Sequence, residues 1–233
     1  MFFDPLYLLY VAPALLLAMW AQHRVHSAYA AAAQQPSNLS GAAAARHILD
    51  QAGLSDVAIE QIPGQLSDHY DPRDKVLRLS QDVYGSRSLA AVGIAAHEAG
   101  HALQDAHQYA LMTVRNAAVP IAGFGTQFSM FLFIAGLLLS MSVPVLGHWL
   151  IIGGIVLFST SVFFQVVNLP VEFDASRRAK AVLVDLGIVP QQEMTYVNGV
   201  LNAAALTYVA ATLQSVLTLL YYIVRFAGDS RRS

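Results

Sequence analysis

Between Arg115 and Glu172 the chain runs for 56 residues without an Asp, Glu, Lys or Arg, and His148 is the only titratable group on the way. A soluble helical hairpin of that length needs a charged outer face, and none is available here. Two bilayer spans of about 20 residues each, joined by a turn, fit the length. The turn is expected at Ser140-Met141-Ser142-Val143-Pro144, where proline should end helical propagation. That places spans at 118–140 and 145–168, with His148 capping the hairpin.

The rest of the chain is short of charge in the same way. Apolar residues make up 56% and charged residues 12%, about half the charged share of a soluble domain, so lipid must cover part of the exterior. Pro5 to Gln22 forms a run of 18 uncharged residues. It follows no basic residue and is long for the apolar part of a signal peptide, so a membrane anchor is expected at 1–22. Met194 to Val224 is also free of charge, and its Leu-, Val- and Tyr-rich second half closes with Tyr221-Tyr222 just before Arg225. Aromatics beside a basic residue suit a membrane interface, which sets a fourth span at 203–226 and a tail at 227–233. A net charge of −2 gives no reason to expect a nucleic-acid partner. With no cysteine, a metal site must use histidine and carboxylate, a donor set that suits zinc.

The polar side chains gather in residues 23–117. Ser40 is placed to cap a helix that runs to Gln51 and stops at Gly53. Val57-Ala58-Ile59, Leu66 to Tyr70 and Val76 to Leu79 are short β-favouring runs between turn signals and read as a three-stranded meander. The last of these runs is a candidate to pair with an extended peptide substrate. A long helix is expected from Ser88 to Ala110.

That helix contains His97-Glu98-Ala99-Gly100-His101. Histidines at i and i+4 project from one face, one turn apart, so both imidazoles can reach a single tetrahedral ion. Glu98 is turned roughly 100° from His97, free of the metal yet near a water on it. A zinc-bound water is acidified towards a pKa of about 7, and a carboxylate can take its proton. A catalytic zinc wants a third protein ligand. Glu60, Glu172 and Glu193 are the remaining glutamates. Glu60 falls in an expected strand and Glu193 in a polar loop, whereas Glu172 heads a helix just past the second hairpin span. Two crossings separate Glu172 from the histidines, so it returns to their side of the bilayer. A helix-start carboxylate favoured by the helix dipole is the alternative reading of Glu172.

The blocks Asp68-His69-Tyr70-Asp71-Pro72-Arg73, Leu79-Ser80, Ala95 to Gln104, Leu169 to Ala179 and Asn202 to Ala211 resemble the YugP-type family of neutral zinc metallopeptidases. That family is similar in plan to HtpX-type membrane proteases. The resemblance implies Glu172 as the third ligand. It also exposes a departure, because the HtpX-like relatives place an aspartate four residues after the ligand and this chain has Ser176. Asp174 and Asp105 are then candidates to orient a ligand imidazole. Tyr70, Tyr196 and Arg177 are candidates to stabilise an oxyanion.

The expected protein is a mainly α (α+β) membrane protein of four transmembrane helices. It also has a small zincin-like domain at 23–117 holding the meander and the HExxH helix, and a third-ligand helix and loop at 169–202. One Zn2+ held by His97, His101 and Glu172, with Glu98 as base, would hydrolyse peptide bonds in a peptide or membrane-protein substrate. A non-catalytic scaffold with a structural zinc is the competing reading. Ten of the thirteen Lys and Arg lie in the segments assigned to the zinc side, which places that side in the cytoplasm.

Overall fold

The structure is a computed structural model and describes residues 4–227. The first three residues of the expected anchor lie outside the described residues. So does the expected tail from residue 228 on, including Arg231 and Arg232. In chain order the elements are α1 (Pro5–Ala33), α2 (Gly41–Gln51), β1 (Ala58–Ile62), β2 (His69–Asp71), β3 (Val76–Ser80) and α3 (Gln81–Tyr84). They continue with α4 (Leu89–Ala106), α5 (Ala110–Leu139), α6 (Pro144–Asp185) and α7 (Met194–Tyr222). The protein is therefore mainly α with one small sheet, and α1, α5, α6 and α7 are each long and apolar enough to cross a bilayer.

The chain divides into two compact units. Among the described residues, the apolar unit comprises 4–19, Val114–Leu169 and 208–227. Its α5–α6 hairpin turns at Ser140 to Val143, and α6 opens on Pro144. The proline expected to end a helix begins one, because its missing N–H has no intrahelical partner in a first turn anyway. A Cβ on Gly136 would lie 2.8 Å from the Gly147 carbonyl oxygen, so small residues are what let the two helices touch. The Thr126 and Ser161 hydroxyls meet at 2.6 Å across the hairpin. Leu16, Phe131 and Leu138 are each more than 60% exposed, an arrangement that suits lipid and not water. Tyr221 is buried among Tyr7, Tyr10 and Tyr222 and donates its hydroxyl to Asp4 at 2.6 Å. His148 stands in the opening turns of α6, edge-on to Trp149 with ring centres 6.0 Å apart.

The second unit comprises Trp20–Thr113 and Pro170–Thr207. Ser40 caps α2, its side chain accepting from the Ala43 N–H at 3.2 Å. The inner face of α2 buries Ala44, Ala45, Ile48 and Leu49, and the last two contribute about 2 kcal/mol each. The sheet order is β1-β3-β2, with β1 parallel and β2 antiparallel to β3, so the expected meander does not form. Burial explains the difference. Val76, Leu77, Leu79 and Ser80 of β3 are buried while β1 is largely exposed, so the strand with two covered faces takes the centre. Both edges of β3 are then occupied, which removes the expected pairing of Val76–Leu79 with a peptide substrate.

Helix α4 starts at a Ser88 cap that accepts from the Ala91 N–H at 3.2 Å. It ends before the expected Ala110, because Gln108 takes a left-handed φ of 51° and breaks the chain direction before α5. The expected span at 145–168 and the third-ligand helix are one continuous helix, α6. Pro170 removes one rung of its hydrogen bonding without ending it. Likewise α7 begins at Met194, ahead of the expected 203.

Candidate metal centre

Two helices, α4 and α6, bring three donors together within the second unit. His97 and His101 sit one turn apart on α4, their ring centres 4.9 Å apart. Glu172 projects from α6, 3% exposed, with its Oε2 3.3 Å from His97 Nε2 and 3.6 Å from His101 Nε2. One ligand atom from each of the three lies within 4.8 Å of the others, so the group could hold a metal ion. Donor atoms about 2.1 Å from a tetrahedral ion stand about 3.4 Å apart, and the two measured separations bracket that figure. Two imidazole nitrogens and a carboxylate oxygen are also the chemistry zinc prefers. The residues fit the ion.

The approach of α6 to α4 depends on Gly100. A Cβ there would stand 2.6 Å from the Ala175 carbonyl oxygen and 3.3 Å from Ala175 Cα, both backbone atoms that cannot rotate away. Gly100 lies between the two histidines, and Ala175 is three residues past Glu172, so this contact sets the spacing of all three donors.

Each imidazole is held from behind. His101 Nδ1 meets Gln104 Oε1 at 2.9 Å. Gln104 is fully buried and donates to the Val171 carbonyl at 2.8 Å and to Asp174 at 2.9 Å. Asp174 in turn accepts from Arg178 at 2.6 Å and from Arg177. His97 Nδ1 meets Ser176 Oγ at 3.1 Å, so the serine stands where the resemblance led us to look for an aspartate. Bonding of the far nitrogen fixes which nitrogen faces the ion. Sequence reasoning missed Gln104. It lies three residues after His101 on the same helical face, and that spacing was the available signal.

Glu98 is 8% exposed, and its carboxylate forms no hydrogen bond or ion pair with another described residue. Burial pushes its pKa above the ordinary carboxylate value, an effect the neighbouring imidazoles oppose and Glu172 and Asp68 reinforce. Asp68 itself accepts from the Ser80 backbone N–H at 2.7 Å and its hydroxyl at 3.0 Å, which ties the β2 approach to the start of α3. Burial is the largest single influence on His101 and lowers its pKa, but the hydrogen bond to Glu172, the charges of Glu172 and Glu98 and the bond to Gln104 together outweigh it, and the net shift is upward.

The remaining expected residues are placed elsewhere in the unit. The Tyr70 hydroxyl donates to Asp105 at 2.8 Å, so these two satisfy each other. Burial, followed by the bond to Asp105, pushes the Tyr70 pKa up. Asp105 therefore orients no imidazole, and Asp174 reaches one only through Gln104. Arg177 binds Asp174 with its side chain three-quarters exposed, and Tyr196 packs among apolar residues near Val197 and Ala32. Glu60 is held at 3.4 Å by Arg78, which also binds Asp71 and Asp74.

Four apolar helices, an HExxH helix carrying His97 and His101, and Glu172 of α6 completing a group that could hold a metal ion are the pattern of a family of membrane zinc metallopeptidases. The family described as "Putative neutral zinc metallopeptidase" matches residues 7–227, and the chain belongs to it. Among its relatives, the protein described as "Putative membrane protease YugP" of Bacillus subtilis (strain 168) is 44% identical over 223 residues, covering 95% of this chain and 96% of its own. No solved structure matches the chain. Membership implies zinc as the cofactor, and the relative together with the four apolar helices marks this as a membrane protein.

Proposed function

We propose that the chain is an integral-membrane zinc endopeptidase that hydrolyses peptide bonds in membrane or membrane-adjacent proteins. The observation that supports this is the meeting of His97, His101 and Glu172 beside a buried carboxylate, Glu98, that forms no hydrogen bond or ion pair with another described residue. No fourth His, Asp or Glu joins the three among the described residues, so a tetrahedral ion keeps one position for water or substrate. That favours catalysis over a closed structural site.

His97, His101 and Glu172 would hold one zinc ion, which supplies a Lewis acid that acidifies water and polarises a carbonyl. Glu98 takes the proton from the attacking water and returns it to the leaving amine. Ser176 and Gln104 hold the two imidazoles in register, so neither ring has to reorient when substrate arrives.

The test is purification in detergent with metal analysis and casein cleavage. Glu98→Gln should keep one zinc per chain and lose roughly 100- to 10,000-fold in rate. Glu172→Ala should lose the zinc. Cleavage that survives Glu98→Gln overturns the assignment of the base, and full zinc retention in Glu172→Ala overturns that of the ligand.

The basic-residue bias supports a cytoplasmic active site. A Ser86→Cys variant should then resist a membrane-impermeant maleimide in intact cells and react once they are opened. Labelling in intact cells would reverse the orientation.

A further inference from the structure

Arg115 is a cation held in place but not neutralised. Its Nε donates to Asn168 Oδ1 at 3.0 Å and its Nη1 to Asn116 Oδ1 at 3.1 Å, all within the apolar unit. Asn168 is 5% exposed, so it is a fixed acceptor and not a surface group met by chance. Arg24, Arg73 and Arg87 also lack a carboxylate partner among the described residues, but none of them is held by side-chain acceptors as Arg115 is, and several other arginines have carboxylates. Asp50 takes Arg46, Asp174 takes Arg177 and Arg178, and Asp71, Asp74 and Glu60 take Arg78. Arg115 has no carboxylate partner among the described residues, and two amide carbonyls orient it without spending its charge.

A guanidinium carries five N–H donors, of which this one uses two, so a face of the fork remains for an anion. Its surroundings say which anion. Val114, Val119, Ile121 and Val166 of the same unit are each more than 40% exposed, and Val119 stands one helical turn beyond Arg115 towards the charge-free span. A fixed, uncompensated guanidinium at the end of an exposed apolar surface matches a ligand with a phosphate at one end and acyl chains at the other. We propose that Arg115, oriented by Asn116 and Asn168, binds the phosphodiester of an anionic phospholipid whose acyl chains lie along α5 and α6.

The experiment uses the full chain purified in mild detergent. Bound lipid is counted by native mass spectrometry, and thermal stability is followed with added dioleoyl phosphatidylglycerol, dioleoyl phosphatidylcholine or inorganic phosphate. The wild type should retain phosphatidylglycerol over phosphatidylcholine by roughly tenfold, as expected for a charge-assisted contact, and melt higher with it. Arg115→Gln should lose that preference. Asn168→Asp should lose it too, because the new carboxylate neutralises the guanidinium while leaving it in place. Asn168→Asp also serves as the working variant if Arg115→Gln fails to fold. Equal retention of the two lipids by the wild type, or an unchanged preference in both variants, overturns the proposal. Stabilisation by inorganic phosphate equal to that by phosphatidylglycerol also overturns it, in favour of a free-anion site.

Discussion

Adding one methyl group at Gly100 should disable the centre without touching a ligand. The new Cβ would lie 2.6 Å from the Ala175 carbonyl oxygen, where a carbon–oxygen contact settles at about 3.3 Å. The helices must part by roughly 0.7 Å, several times the ~0.2 Å that ligand distances tolerate. Ala175 is less than one turn from Glu172, so the displacement is passed on almost whole to a carboxylate oxygen that now stands 3.3 Å and 3.6 Å from its two partners. Overpacking of this kind costs about 1–3 kcal/mol, which corresponds to a zinc affinity weaker by roughly 5- to 150-fold.

The assay is zinc competition against a graded chelator, with circular dichroism to show that Gly100→Ala keeps its helix content. Gly93→Ala is the control, because the nearest atoms to its Cβ would belong to the Val197 side chain, at 3.1 Å, and not to backbone. Wild-type zinc affinity in Gly100→Ala would refute the idea that close approach of α4 and α6 sets the ligand spacing. So would an equal loss in both variants.

Further outcomes follow from the same geometry. Gln104→Ala frees His101 Nδ1 and leaves Asp174 with one donor fewer, so zinc affinity should fall roughly 10- to 100-fold in the same competition assay. Ser176→Ala should weaken zinc by a similar step, while Ser176→Asp should hold it at least as well as wild type, because a carboxylate can take the same His97 Nδ1 bond. Metal-free Glu98→Gln should melt above metal-free wild type at pH 7. The folded Glu98 carboxyl holds its proton above the unfolded value, so its favourable contribution is present at low pH and is lost as pH rises through the folded pKa. The gap should close towards about pH 4, the ordinary glutamate range, and a gap that is flat with pH would count against a raised Glu98.

The sequence disclosed what composition and spacing can carry. A run without charge between Arg115 and Glu172 has few physical solutions, and α5 and α6 are the one expected. Histidines four apart on a helix share a face whatever surrounds them, so the pairing of His97 with His101 was legible. Strand neighbours were not, because alternation in Val76 to Leu79 reports which faces are covered and not which strand lies beside which. The continuity of α6 was hidden by Pro170, which marks a helix boundary on local grounds but costs a helix only one rung of hydrogen bonding when the turns on either side hold.

What stayed hidden at the centre was the way donors are held, since that depends on approach between helices far apart in the chain. Gly100 reads as an unremarked letter of the HExxH run, and only the Ala175 carbonyl opposite shows that nothing larger fits. The Ser176 departure is instructive for the same reason. A motif comparison counts it as a lost carboxylate, yet its hydroxyl reaches His97 Nδ1 at 3.1 Å, and the carboxylate reappears at Asp174, relayed by Gln104 to the other histidine. The requirement placed on the chain is that each imidazole be pinned through its far nitrogen, and the position of any one acid matters less than that. Four variants separate these views. If the requirement is pinning, Ser176→Ala and Gln104→Ala should each weaken zinc and the double variant should weaken it further, whereas Asp174→Asn, which preserves an acceptor for Gln104, should cost much less.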